Sequence, residues 1–532
     1  MDMTINRRSL LGGMAAMSAM PFSSHAAMAV ERTPEGLVLV FGGRQEIPIL
    51  DPHVRYDWSI RMAQQAVYDA LVKYVGEDAK IEPWLAKSWE TSADGLVWTF
   101  KLTENAKFHN GDPVNAEAVR YSFERALKLN KGVAWMLNDV LTPSAIEAID
   151  TTTVRFKLSK PFAPFLSFLP WWFIVNPAQV KANEKDGDFG QAWLTEHSAG
   201  SGPFKQGRWE QNSLYQFIPV PDYWRGWPQG KSRPASIIYR LIREPAAQKA
   251  SLKRGQSDIV EGLTSDDFSQ LANDKDVVIE NHVGMITFSI MMNTQKGPTA
   301  DLNLRKAIAY AFDYDALVAI YNGAATLQDS PFPGAIEGHI AVDGIPRKDL
   351  AKAREYLAKS KYPQGGITLE YVYPAGHEES RRIALVMLDA LKALNITIEP
   401  KPEQWPNIVA RATNLETAPQ IASVFTTPIS TDPDSIAYNY HKNNWGKYVN
   451  LGYYSNDEVN GMIEKARLAT DWAVRKELYA KIQQQIVADQ PAVFGMLQNR
   501  RWARAKYVEG FTYSPVRLLS ETDFYPLALK SS

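Results

Sequence analysis

The sequence predicts an α/β protein of more than one domain. Short strands alternate with longer helices along the chain, no low-complexity tract or internal repeat interrupts them, and 532 residues are too many for one hydrophobic core. The composition, 45% hydrophobic and 22% charged, is that of an ordinary soluble globular chain. Against 59 acidic residues stand 58 basic ones, with no long block of either sign. Nothing concentrates the positive field a polyanion binder needs, so no nucleic-acid partner is expected.

The first element is an export signal that is not part of the fold. Arg7 and Arg8 precede a short, weakly apolar stretch from Leu10 to Pro21, and Ala27-Met28-Ala29 offers the small-x-small pattern of a cleavage site. Residues 1–29 are thus expected to leave, with Val30 first in the mature chain. Asn6-Arg7-Arg8-Ser9-Leu10-Leu11 resembles the twin-arginine signal that exports folded proteins. The stretch falls short of the roughly 20 apolar residues that span a bilayer, and no later run reaches them. A chain with no cysteine has neither disulfides nor a lipidated cysteine anchor. The mature protein is expected to be soluble.

Next, Leu96, Trp98, Phe100 and Leu102 alternate as one face of a strand, and Val119, Phe123, Ala126 and Leu127 form one face of a helix that Asn115 can cap. Leu304, Ala307, Ile308, Ala311 and Phe312 repeat the helical stripe, as do Ile383, Val386, Met387, Ala390, Leu391 and Leu394. These stripes predict core. Ile286, Phe288, Ile290 and Met292 alternate as a strand should, and Val493 to Leu497 is a short apolar run closed by Gln498-Asn499.

Ordered blocks then carry a resemblance over nearly the whole mature chain. Leu50-Asp51-Pro52-His53 is followed by Gln65 to Leu71, then by Pro83-Trp84-Leu85-Ala86-Lys87-Ser88-Trp89, Asp94-Gly95, Trp98-Thr99-Phe100 and Phe108 to Ala116. Later come Gly200-Ser201-Gly202-Pro203-Phe204, Asp222-Tyr223-Trp224, Met292-Asn293, Leu304 to Ile308 with Asp313, and Asn450 to Asn456. Taken singly, these Gly-Pro and Asp-Gly pairs make turns and the aromatics fill cores. In this order they resemble the family 5 solute-binding proteins of dipeptide, oligopeptide and nickel ABC importers. The resemblance implies a periplasmic binding protein-like α/β fold of two lobes and a hinge, with an accessory domain in the first lobe. Its divisions would be lobe I from 30–66, 200–285 and 500–532, an accessory domain from 67–199, and lobe II from 286–499. It further implies a monomeric, soluble periplasmic receptor without cofactor, which captures a peptide or small polar solute for an ABC permease and its ATPase.

Other classes find little support in the residues. There is no Gly-x-Ser-x-Gly elbow, and His377-Glu378 is followed by Glu379-Ser380-Arg381, so the zinc-protease pattern fails. Gly226 to Ser232 has one residue too few, and a proline, for a phosphate loop; a surface turn is expected there. The eight histidines never fall within five residues of one another, so no local metal-ligand pair exists. A secreted hydrolase, a chelated-metal receptor and a receptor that feeds a sensor remain the alternatives.

The solute class turns on one departure from the family pattern. In relatives that bind free peptides, an aspartate upstream of an Asp-Pro turn pairs with the peptide's ammonium, and a tryptophan precedes it. The turn here is Asp432-Pro433-Asp434, and the two positions fall near Ile429 and Thr426, with no acidic residue between Ile421 and Thr431. A buried ammonium without a counter-charge costs several kcal/mol, so a simple peptide held by its amino terminus is not expected; opines and sugar conjugates are the alternative solutes. Carried over residue by residue, the resemblance implies contacts at Tyr56, Asp57, Trp58, Ser289, Met291, Trp405, Arg411 and Trp445. Arg411 would clamp a carboxylate, Asp57 would receive an ammonium, and the tryptophans would form an aromatic wall.

Overall fold

The computed structural model describes residues 37–55, 58–517 and 521–530. The export signal, Tyr56 and Asp57 lie outside the described residues, and Trp58 is described as helical backbone only. An 11-stranded sheet runs through the whole molecule. From one edge its strands are Ile396–Glu403, Ile367–Pro374, Ile421–Thr426, Val277–Met292, Ala492–Ala505, Ile259–Val260, Val38–Gly43, Ser236–Leu241, Leu214–Pro219 and Phe204–Glu210, with Ala325–Leu327 beside Ala492–Ala505.

The two longest strands cross between the lobes. Val277–Met292 and Ala492–Ala505 pair antiparallel along both halves, but the register shifts between Val283 and Ile286 and again between Phe288 and Ser289. Ladder hydrogen bonds are interrupted there, which makes the crossing the natural place to bend. The alternation read at Ile286 to Met292 is the second half of the first long strand, and the apolar run Val493 to Leu497 belongs to the second. Phe288, Ile290 and Met292 enter one core with Leu304, Ala307, Ile308, Ala311 and Phe312 of the neighbouring helix and with Ile383, Met387 and Leu391.

Residues between Leu71 and Ile174 pack a second core around a four-stranded sheet and the helix Ala116–Leu129. Asn115 caps that helix, its Oδ1 accepting from the Ala118 amide at 2.9 Å. The expected face, Val119, Phe123, Ala126 and Leu127, is buried, and Phe123 stacks on Trp172 with centroids 4.7 Å apart.

The sequence blocks have a physical meaning in this fold, because several meet at single buried charges. Asp69 accepts from Trp84 Nε1 at 2.7 Å, Trp224 Nε1 at 2.8 Å, Tyr223 Oη at 2.9 Å and Ser201 Oγ at 3.0 Å. Three stretches of chain far apart in sequence are thereby pinned to one carboxylate. Arg125 holds Asp51 through Nη1 at 2.9 Å and Nη2 at 2.6 Å, and the His53 ring lies against the same guanidinium. Burial, then the nearby Arg125 charge, lowers the His53 pKa to about 4, so this histidine is neutral and structural. Gly226 to Ser232 forms a surface turn. Among the described residues, no helix is long and apolar enough to cross a membrane.

Candidate binding site

Strand register locates the cleft. In the first lobe Val38–Gly43 runs parallel to Ser236–Leu241 and Ile259–Val260, and Ile259 and Val260 pair with Arg504 and Ala503, so the carboxyl ends of these strands point toward the crossing. In the second lobe Ile421 pairs with Met292 and Thr426 with Thr287, so Ile421–Thr426 and its parallel neighbours point toward the crossing from the other side. Ligands of open α/β sheets sit beyond strand carboxyl ends. Here the two sets of carboxyl ends face each other across the hinge.

The first-lobe wall is rich in buried charge. Arg61, only 2% exposed, donates through Nε to Glu521 at 2.9 Å, and its guanidinium carbon lies 3.4 Å from the centre of the Trp171 ring. Gln65 donates to the same carboxylate oxygen of Glu521. Nη1 of Arg61 is buried with no partner. Arg500, 7% exposed, forms no ion pair among the described residues, and its buried Nε has no partner either. Its stem lies across Gly284, where a Cβ would stand 3.0 Å from Arg500 Cδ and 2.6 Å from the Gln498 carbonyl oxygen. Only glycine accommodates that approach. Glu261, just past the carboxyl end of its strand, accepts from the Arg44 amide, while its Oε2 is buried and unpartnered. Burial raises its pKa to about 8.

The second-lobe segment from Ile421 to Thr431 carries no acidic residue. Thr287 Oγ1 and Thr426 Oγ1 lie 2.6 Å apart at its base. Asp432 is spent on Arg475 Nη2 at 2.8 and 2.9 Å, and Asp434 lies 3.2 Å from Arg467. At the expected aspartate position, Ile429 presents a carbonyl that accepts from Trp171 Nε1 at 2.8 Å, and the Ala163 amide bonds the Arg467 carbonyl at 2.9 Å. The lobes therefore touch. The cavity beside Arg61, Gln65 and Lys73 measures about 20 Å³, room for one water molecule.

Of the residues singled out in the sequence, the structure brings few to this cleft. Trp405, 38% exposed, follows the carboxyl end of Ile396–Glu403 and so lies at the cleft end of the lobe, two strands from Ile421–Thr426. Ser289 is buried beyond Thr287, farther from the crossing. Met291 is half-buried and packs against Val372, Ile408, Ala422, Val424 and Leu451 on one side and against the cluster that includes Ile436 and Tyr454 on the other. Trp445 is exposed; Gly446 beside it abuts the carboxyl end of the helix Trp405–Ala412, and its own Nε1 donates to the Tyr454 carbonyl at 2.8 Å. Arg411 is engaged within its own lobe. Its guanidinium is held by Glu370 at 2.8 Å and by Glu403, and it lines an open groove of about 700 Å³ with Asn293, Lys296 and Gln420, at the end of the lobe away from the hinge. Sequence reasoning missed Arg61, Arg500, Glu521 and Glu261. Charged residues within helical or strand patterns were the available signal, but partners 217 to 460 residues away are invisible to local spacing.

The comparisons with known proteins agree with this geometry. Residues 80–447 match the description of the bacterial extracellular solute-binding proteins, family 5. The chain is 31% identical over 487 residues to the probable D,D-dipeptide-binding periplasmic protein DdpA of Escherichia coli K12, covering 90% of this chain and 92% of that one. Among solved structures, the periplasmic binding protein DppA of Helicobacter pylori in complex with the peptide STSA superposes with TM-score 0.76 at 25% identity, covering 93% and 98%. AgaA of A. tumefaciens R10 in complex with agropinic acid superposes with TM-score 0.74 at 25% identity, covering 93% and 99%. The chain belongs to family 5 of the bacterial extracellular solute-binding proteins, the substrate-binding subunits of ABC importers.

Proposed function

We propose that this chain is exported through its twin-arginine-like signal, acts as a soluble periplasmic monomer, and closes on a peptide-like or opine-like solute that it hands to an ABC permease and its ATPase. One observation carries the reading: two lobes joined by a pair of register-shifted strands face each other with the carboxyl ends of their parallel strands. Such a joint bends, and a solute that touches both walls favours the closed state by its differential affinity for it. Chemistry on the solute is not part of the proposal, and the receptor works without cofactor. Lobe I is assigned to 30–66, 200–285 and 500–532, the accessory domain to 67–199 and lobe II to 286–499. Tyr56, Asp57 and Trp58, which lead into the helix bearing Arg61, remain candidate contacts, together with Ser289 and Trp405.

The test is native mass spectrometry of the mature protein purified from its own periplasm before any dialysis. A co-purified, displaceable small molecule is the expected result. An empty protein that also ignores a broad solute panel, or one that converts its ligand, would overturn the reading.

A further inference from the structure

The first-lobe wall carries buried positive charge that the protein itself leaves without a full complement of partners. Arg61 shares Glu521 with Gln65 and keeps Nη1 open. Arg500 has no carboxylate within ion-pair distance among the described residues, and its Nε is unsatisfied. Two nearby acids are engaged elsewhere: Asp523 takes Lys73 at 2.7 Å and Arg517 at 3.4 Å, and Asp432 takes Arg475. From the opposite wall, the segment Ile421 to Thr431 contributes no acid at all. A buried guanidinium with open donors is costly unless an anion completes it, and planar carboxylates fit that fork.

We infer that the site takes the carboxylate end of its solute on Arg61 and Arg500, and that the solute's amino group is blocked or absent, as in an N-acylated peptide. The inference rests on the solute-capture reading and names the solute class for it. Glu261 supports it from the same wall. With its carboxyl kept protonated near neutral pH by burial, it adds a donor rather than a competing charge. Trp171, held between Arg61 and the Ile429 carbonyl, supplies an apolar face beside the charge. The larger groove around Arg411 offers nothing comparable, because Lys296, Arg411 and Lys401 all sit on glutamates of that groove.

The experiment offers the mature protein three equimolar dipeptide libraries, N-acetylated acids, N-acetylated amides and free-amine amides, and reads retained mass by native mass spectrometry. The acetylated acids should be retained at least tenfold above either amide library. Arg500→Gln should lower that retention at least tenfold while circular dichroism shows the fold kept; Arg61→Lys, which keeps a charge on Glu521 but loses the planar fork, should also lower it. Equal retention of acids and amides, preference for the free-amine amides, or unchanged retention by Arg500→Gln would overturn the inference while leaving solute capture intact. Retention of none of the three would overturn both the inference and the peptide-like reading.

Discussion

Two arginine-bearing regions of this molecule make opposite use of the same side chain. Arg411 lies in a groove of about 700 Å³, yet Glu370 and Glu403 already complete its guanidinium. Arg61 borders a space of only about 20 Å³, yet Arg61 and Arg500 each keep a buried donor open. Void size is a poor guide to a site in a protein that closes over its ligand. Unsatisfied hydrogen-bonding capacity in a buried place is the better guide, because folding alone gives no reason to keep it.

The widest gap between these regions is expected in stability. Arg61→Ala strands the Glu521 carboxylate in a buried place and should cost about 3–5 kcal/mol in urea unfolding. Arg500→Met removes a buried charge that lacks an ion pair, so it should leave stability unchanged or raise it by about 1 kcal/mol, as expected when a residue is retained for function. Similar losses for both variants would break the distinction drawn between them.

Ile429→Asp tests the polarity of the cleft next. A carboxylate beside Trp171 should drive off the acetylated acids at least tenfold, by like-charge repulsion in a poorly solvated space, and shift retention toward free-amine dipeptide amides. Unchanged retention in the library measurement would place the bound solute away from Ile429.

A pH series on Glu261→Gln follows. The folded protein holds the Glu261 proton up to about pH 8, whereas the ordinary value is 4.5. Between those values the folded state binds more protons than the unfolded state, so this residue's contribution is complete below 4.5 and declines as pH rises toward 8. Wild type should therefore lose stability relative to the Gln variant across pH 5 to 8, read by urea unfolding at each pH. Parallel curves would show that Oε2 is solvated.

The smallest effect is expected at Arg411→Ala. Its side chain is 29% exposed and its partners sit near the surface, so stability should fall by about 1 kcal/mol or less, with retention of the acetylated acids unchanged. A tenfold loss of retention would return Arg411 to the site.

Much of the fold was legible because it follows from local chemistry. Asn115 caps the helix it precedes, the stripe from Leu304 to Phe312 is core, and Ile286 to Met292 is strand, since each pattern repeats with its own backbone period. The paired aromatics and turns were legible as blocks, but their convergence on Asp69 was not, because the donors lie 15 to 155 residues away from it. The site was less legible still. Met291 and Trp445 carried the right residue types, and only the tertiary structure showed that one packs half-buried against Val372 and Ile408 and that the other sits beside the carboxyl end of the helix Trp405–Ala412.

By itself, the sequence determined the α/β class, the family, the strand at Ile286 to Met292, and the absence of an acid from Ile421 to Thr431. These are properties of short stretches, or of their order along the chain. Which arginines face the cleft was decided only by the tertiary structure. Arg411 and Arg61 both sit on helices, and neither helix shows in sequence that one guanidinium meets two glutamates while the other meets one and keeps a donor open. Whether a buried charge is satisfied depends on which distant residues the fold brings within about 3 Å, a distance local periodicity does not encode.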